Sequence, residues 1–312
     1  MPLEPRVKRF LDLLAAGNPP DPRTATVAAR REGLIALMQL SGPQITVARV
    51  DEITLPLSPA ALAARVYSPH SDSAILPGLI YFHGGGLIAG SIATHDGIAR
   101  ALADAGGVRV VSVDYRLAPE SRFPAALEDA KAALEHIANH CADFGIDPAR
   151  LGICGDSAGA TLVAATCQAA ARAGGPRVAL QLLLCPILDY SRQSASREAL
   201  SSGYLVDEAT LDHDLLHYLP AGIQPTDPLV SPLLAEDLAG LPRTIIHTAE
   251  FDPLRDEGQD YFGRLKRANI EVAYTCHPGM IHLFYGLGGV IPYARSAFKQ
   301  IGDEIRAALA AP

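Results

Sequence analysis

Apolar residues fall along this chain in two rhythms. Short, mostly apolar or β-branched runs at residues 78–82, 108–113, 151–154, 180–184, 243–248 and 271–276 read as strands. Between them, segments 95–105, 124–141, 158–173 and 256–268 carry apolar residues at the three-and-four spacing of a helix. Two further strand-like stretches, 45–55 and 63–67, precede the alternation. Ahead of those come helical patterns at 6–16, with Val7, Phe10, Leu11 and Leu14 on one face, and at 24–39. The Asn-Pro-Pro-Asp-Pro run at 18–22 breaks the chain between these two helices. Strand alternating with helix predicts the α/β class, a mostly parallel central sheet flanked by helices. Catalytic groups in such sheets sit beyond the carboxyl ends of the strands.

One interval departs from the rhythm. Residues 189–241 show no clear strand, although Leu211, Leu215, Leu216 and Leu219 mark an amphipathic helix at 209–219. Insertions of this length inside a compact domain serve as lids or binding loops. The expected organisation is a single domain, 1–312, whose helical cap is formed by about 1–44 and about 190–225. The apolar face of 6–16 is expected to pack on the protein itself rather than on a membrane surface.

Composition then removes several function classes. Thirty-four acidic against 26 basic residues give a net charge of −8, with no basic block, which argues against nucleic acid as a partner. Hydrophobic residues make up 49% of the chain, enough for a large core, yet no stretch reaches the ~18 apolar residues of a membrane span. The charged N-terminal segment lacks a signal-peptide core. Five cysteines (Cys141, Cys154, Cys167, Cys185, Cys276) include no C-x-x-C pair, and free thiols fit a reducing compartment. A cytoplasmic protein without stable membrane insertion is the expectation. No histidine and carboxylate cluster has zinc-site spacing, so neither metal nor cofactor is expected.

Candidate chemistry begins at "RLGICGDSAGATLVAA", residues 150–165. A strand ending at Cys154 and a helix beginning at Ala158 leave no room for a loop, so the chain must turn sharply at Ser157. Such a turn strains the central residue and projects its hydroxyl outward, while flanking glycines let strand and helix approach. This is the G-x-S-x-G pattern of a nucleophile elbow. A nucleophilic serine needs a base, a group to orient the base, and donors for an oxyanion. Donors are offered by His83-Gly84-Gly85-Gly86, directly after an apolar strand. No side chain shields the backbone N–H groups of three consecutive glycines, and no G-K-[ST] follows to make a phosphate loop. The N–H groups of Gly84, Gly85 and Ala158 are the expected oxyanion donors.

The orienting acid should follow a later strand, where Glu250, Asp252 and Asp256 are available. Asp252, before Pro253, lies in the turn past the strand, whereas Asp256 opens the next helix and suits a capping role. The base should follow the final strand, where His277 and His282 stand. The backbone of His277 is held extended by Pro278. His282 lies beyond a turn containing Gly279 that returns the chain over the strand ends. Histidines elsewhere, such as His136 and His213 on helices, read as surface or core filling. The order Ser157, Asp252, His282 is that of an α/β-hydrolase triad.

With these residues in place the chain resembles the hormone-sensitive lipase-like branch of the α/β-hydrolase superfamily. It carries HGGG, "DYRLAPESRFPAALEDA" (114–130), GDSAG, "SPLLAEDLAGLP" (231–242), "DPLRDEG" (252–258) and "HLF" (282–284) in that family's order. The resemblance implies an α/β-hydrolase fold with a helical cap. It also implies a serine carboxylesterase that hydrolyses short-chain carboxylic esters of small molecules through a Ser-His-Asp triad and an acyl-enzyme intermediate. Relatives often pair through the last strand and helix, so it allows a homodimer. Two positions depart from the family: Leu283, where many relatives have glycine after the histidine, and Leu87, where an aromatic residue often follows HGGG. Hormone receptors of this family keep the pocket but lose the catalytic histidine, which this chain retains. Amide hydrolysis by the same groups stays open.

Overall fold

The run Leu180–Leu184 is buried at every position, as a strand covered on both faces requires. It lies inside a single sheet. In this computed structural model, which describes residues 2–17, 21–70, 75–191 and 194–311, eight strands are hydrogen-bonded side by side. They are β1 (Arg49–Leu55), β2 (Leu62–Ser68), β3 (Leu76–Phe82), β4 (Arg109–Val113), β5 (Ile146–Asp156), β6 (Leu180–Leu184), β7 (Arg243–Phe251) and β8 (Val272–Ile281). The order is β1-β2-β4-β3-β5-β6-β7-β8. Strand β2 is antiparallel to both of its neighbours, and every pairing from β4 to β8 is parallel.

Strand order reverses between β3 and β5, which are adjacent although β4 comes between them in the chain. Their register sets Phe82 beside Gly155, so the HGGG and GDSAG segments leave the sheet side by side. At the other end of the row, Phe251 pairs with Ile281, which brings Asp252 and His282 out together. The topology thus gathers residues from distant parts of the chain at one edge of the sheet.

Helices α3 (Asp96–Gly106) and α9 (Tyr293–Ala308) pack on one another, as do α4 (Ala125–Asn139) and α5 (Ala158–Ala173), while α8 (Arg255–Arg267) lies on β7 and β8. Helix α9 adds to the predicted series; Ala294, Ala297, Phe298, Ile301 and Ile305 form its buried stripe. Strand β8 continues five residues past its predicted end, through Pro278. Proline lacks the ladder donor but is tolerated on an edge strand, and β8 is the edge here.

Helix α1 (Pro5–Ala16) buries Val7 and Phe10 and packs against β8, while Leu13 faces solvent. Of the predicted break at 18–22, residues 18–20 lie outside the described residues. Helix α2 (Val27–Met38) follows. In the long interval, α6 (Ala195–Ala199) docks through Arg197, whose guanidinium meets the buried Glu257 carboxylate at 2.8 Å. Helix α7 (Glu208–Tyr218) corresponds to the predicted amphipathic helix, but its face is different. Leu216 is 71% exposed, and the polar His213 and Asp214 are buried with Leu211. Their partners explain the reversal: His213 Nε2 lies 3.0 Å from the Ala25 carbonyl, and Asp214 is paired with Arg30 of α2. Among the described residues no helix is long and apolar enough to cross a membrane.

Candidate active site

Ser157 has φ 52° and ψ −121°, a conformation that L-residues rarely adopt, between the last residue of β5 and the first of α5. The two flanking glycines make the turn possible. A Cβ on Gly155 would press on the backbone of Gly159, and one on Gly159 would overlap the Phe82 and His83 carbonyls. Main-chain bonds fix the strained residue: its N–H donates to the Leu184 carbonyl at 2.8 Å, and its carbonyl accepts from Ala160 at 3.1 Å.

The Ser157 hydroxyl is 3.0 Å from Nε2 of His282, and His282 Nδ1 is 2.8 Å from Oδ2 of Asp252. The other Asp252 oxygen accepts the Leu254 N–H at 2.9 Å. All three side chains are buried, Asp252 completely. Burial alone would lower the His282 pKa, but the Asp252 carboxylate outweighs it and holds the imidazole above its usual value. The other sequence candidates lie elsewhere. His277 bonds to His247 and Tyr293, Glu250 accepts the Gly279 N–H at 2.8 Å, and Asp256 accepts the Ser196 N–H of α6 at 2.8 Å rather than capping its own helix.

One expected donor needs correction. The Gly84 N–H donates to Oδ1 of Asp156 at 2.9 Å, so it is committed to a buried carboxylate and is not free for an oxyanion. No hydrogen bond engages the Gly85 or Gly86 N–H among the described residues. Ala158 opens α5, where an N–H has no intrahelical partner.

Asp156 is the residue that motif reading overlooked. It takes the Tyr81 hydroxyl at 2.5 Å as well as the Gly84 N–H, and His95 Nε2 stands 3.6 Å away. Burial would raise its pKa; the neighbouring His95 and the donated hydrogen bonds prevail and keep the carboxyl below its usual value. Asp156 thereby fastens the glycine loop to the elbow. His83 stacks on Tyr115 and, because burial and then His95 disfavour its cation, its pKa falls to about 3. It is a neutral structural ring rather than a base.

Cys185 closes the back of the site. Its sulfur lies within 4.8 Å of ligand-type atoms of Asp252 and His282 and accepts the Tyr285 hydroxyl at 2.7 Å. Burial, followed by the Asp252 charge, keeps the thiol protonated, so it does not compete as a nucleophile. Both family departures fall on left-handed backbone: Leu87 has φ 64° and Leu283 φ 59°. Glycine would carry no Cβ strain at either position.

A model of the alpha/beta hydrolase fold family matches residues 79–286 of this chain. The chain is 40% identical over 268 residues to the carboxylic ester hydrolase LipN of Mycobacterium tuberculosis, covering 84% of this chain and 71% of that protein. Against the ethyl acetate hydrolase of Pseudomonas putida the identity is 32% over 317 residues, covering 98% and 99% of the two. Among solved structures, the ester-hydrolase EH1AB1 from the metagenome of Lake Arreo, complexed with a bipyridine phosphonate derivative, matches with a TM-score of 0.95 at 38% identity. That match covers 99% of this chain and all of the other.

Proposed function

We propose, for a chain that belongs to the alpha/beta hydrolase fold family and within it to the hormone-sensitive lipase-like carboxylic ester hydrolases, that Ser157, His282 and Asp252 hydrolyse short-chain esters in two acyl-transfer steps. His282 takes the Ser157 proton as the oxygen attacks the ester carbonyl. Asp252 holds the ring in the required tautomer and balances its positive charge. The oxyanion meets the N–H groups of Gly85, Gly86 and Ala158, with Gly86 in place of Gly84. Water then cleaves the acyl enzyme, again with His282 as base. The observation that carries this reading is the unbroken chain of 3.0 and 2.8 Å contacts from Ser157 through His282 to Asp252. A fluorophosphonate should add once, at Ser157, and abolish hydrolysis of a soluble acetate ester. Labelling at another residue, or hydrolysis that survives full labelling, would refute it.

The segments holding α2 and α7 act as a cap in this reading. Support comes from the ion pair that joins them above the glycine loop. Ser157 is 8% exposed, and two large surface clefts, of about 940 and 990 Å³, are lined by neither Ser157 nor His282. A closed site of this kind should prefer acyl chains of about two to eight carbons, since each added methylene gains only ~0.8 kcal/mol and only while space remains. Initial rates across an acyl series should peak in that range; faster turnover of long-chain triglyceride emulsions than of soluble short esters would contradict it.

A further inference from the structure

Arg30 of α2 grips Asp214 of α7 with two contacts, Nε to Oδ1 at 3.3 Å and Nη2 to Oδ2 at 3.0 Å. Asp214 is only 3% exposed, and its carboxylate rests on the glycine loop, where a Cβ at Gly86 would overlap it. The same loop reaches the nucleophile, since a Cβ at Gly84 would come within 3.1 Å of Ser157 Cβ. A full negative charge therefore lies against the segment read above as the oxyanion cradle. That placement opposes the reaction, because the cradle works by favouring negative charge. Fastening α7 does not require it: the Phe123 N–H donates to the Tyr218 carbonyl at 3.0 Å, and Arg122 reaches the Leu219 carbonyl at 3.1 Å. Burial and then Asp252 dominate at His282, but the Arg30 charge is felt there too and opposes protonation.

We propose that Arg30 is a positioning residue for acyl transfer, acting through Asp214: it neutralises a carboxylate that α7 lays on the glycine loop, leaving that loop able to receive the charge of the tetrahedral intermediate. The inference rests on the reading of Ser157 as nucleophile. Among the described residues, Arg30 from α2 and His213 from its own helix, with Nδ1 3.2 Å from Oδ1, contact Asp214, and Tyr190 from the segment after β6, whose phenol is governed by burial, also feels the Asp214 charge. Without Arg30, the Asp214 carboxylate would lie uncompensated against the loop, and turnover would fall.

The test compares Arg30→Gln, Arg30→Lys and the double variant Arg30→Gln/Asp214→Asn with the unaltered protein. Each is scored per Ser157 titrated by fluorophosphonate, after thermal unfolding confirms a native fold. Arg30→Gln should lose about tenfold or more in kcat, each tenfold being ~1.36 kcal/mol of barrier. Arg30→Lys and the double variant should recover most of the loss. An Arg30→Gln variant with unaltered turnover overturns the proposal. So does a double variant, or an Arg30→Lys variant, as impaired as Arg30→Gln. Should Arg30→Gln not fold, Asp214→Asn carries the test: turnover per titrated serine should hold or rise, and a tenfold fall would overturn the idea. An unaltered protein that hydrolyses esters but takes no label at Ser157 would remove the parent reading instead.

Discussion

Replacing His282 with alanine should lower kcat/KM by several powers of ten in a protein that still folds, as removal of a triad base does. His277→Ala should keep most of its turnover per folded molecule and lose stability instead. The two rings differ in their surroundings. His282 bridges Ser157 and Asp252, whereas His277 is fully buried on β8, with Nε2 3.0 Å from His247 Nδ1 and Nδ1 3.2 Å from the Tyr293 hydroxyl. Taking His277 away leaves Nδ1 of the buried His247 without its partner, at a cost of about 1–3 kcal/mol. The pH dependence separates them further. Burial, reinforced by His247, drives the His277 pKa down to about 3, so that ring stays neutral through the working range. At His282 the Asp252 carboxylate overrides burial and raises the pKa. A base must be neutral, and a raised pKa keeps it protonated to higher pH. The acidic limb of kcat/KM should therefore have its midpoint above ~6.5, the usual imidazole value. A flat profile from about pH 5 to 8 with chemistry rate-limiting, or an inactive, well-folded His277→Ala beside an active His282→Ala, would reverse the assignment.

Asp156→Ala is the second large effect, and it should strike folding and turnover together. The carboxylate accepts the Tyr81 hydroxyl and the Gly84 N–H in a fully buried setting beside His95. Removing it leaves buried polar groups without their acceptor, a change of about 3–5 kcal/mol by analogy with breaking a buried ion pair. The same loss frees the glycine loop from the elbow. Misaligned donors should then cost about a hundred- to a thousandfold in kcat, the scale for losing one oxyanion donor. Asp156→Asn keeps the shape and an acceptor oxygen, so it should fall between. Denaturant unfolding and turnover normalised to the folded fraction would measure both effects, and an alanine variant matching the unaltered protein in both would discard the anchoring role. The folded pKa of Asp156 is depressed, so its contribution is present above the unfolded carboxyl value of ~3.9 and is lost as pH falls through the folded one.

Local pattern was enough to determine the α/β alternation and two elements to the residue. Helix Ala158–Ala173 and strand Leu180–Leu184 agree end to end with their predicted spans, because a buried parallel strand is a continuous apolar run and Gly174 stops the helix in a left-handed turn. That Ser157, Asp252 and His282 would converge was legible from their order after predicted strands, although β5, β7 and β8 each run past the predicted end, to Asp156, Phe251 and Ile281, so that each residue stands directly on a strand end. Tertiary structure alone decided which donors stay free. Gly84 looks identical to Gly85 in sequence, and only the approach of Asp156, 72 residues away, takes its N–H out of use. It also decided which face of α7 is buried. Leucine spacing points to Leu216, but a helix turns inward the face whose partners can satisfy it, and the Arg30 guanidinium, 184 residues distant along the chain, makes Asp214 a buried residue. Periodicity reports apolar burial; it is blind to polar groups whose burial is made tolerable by a partner that folding alone brings near.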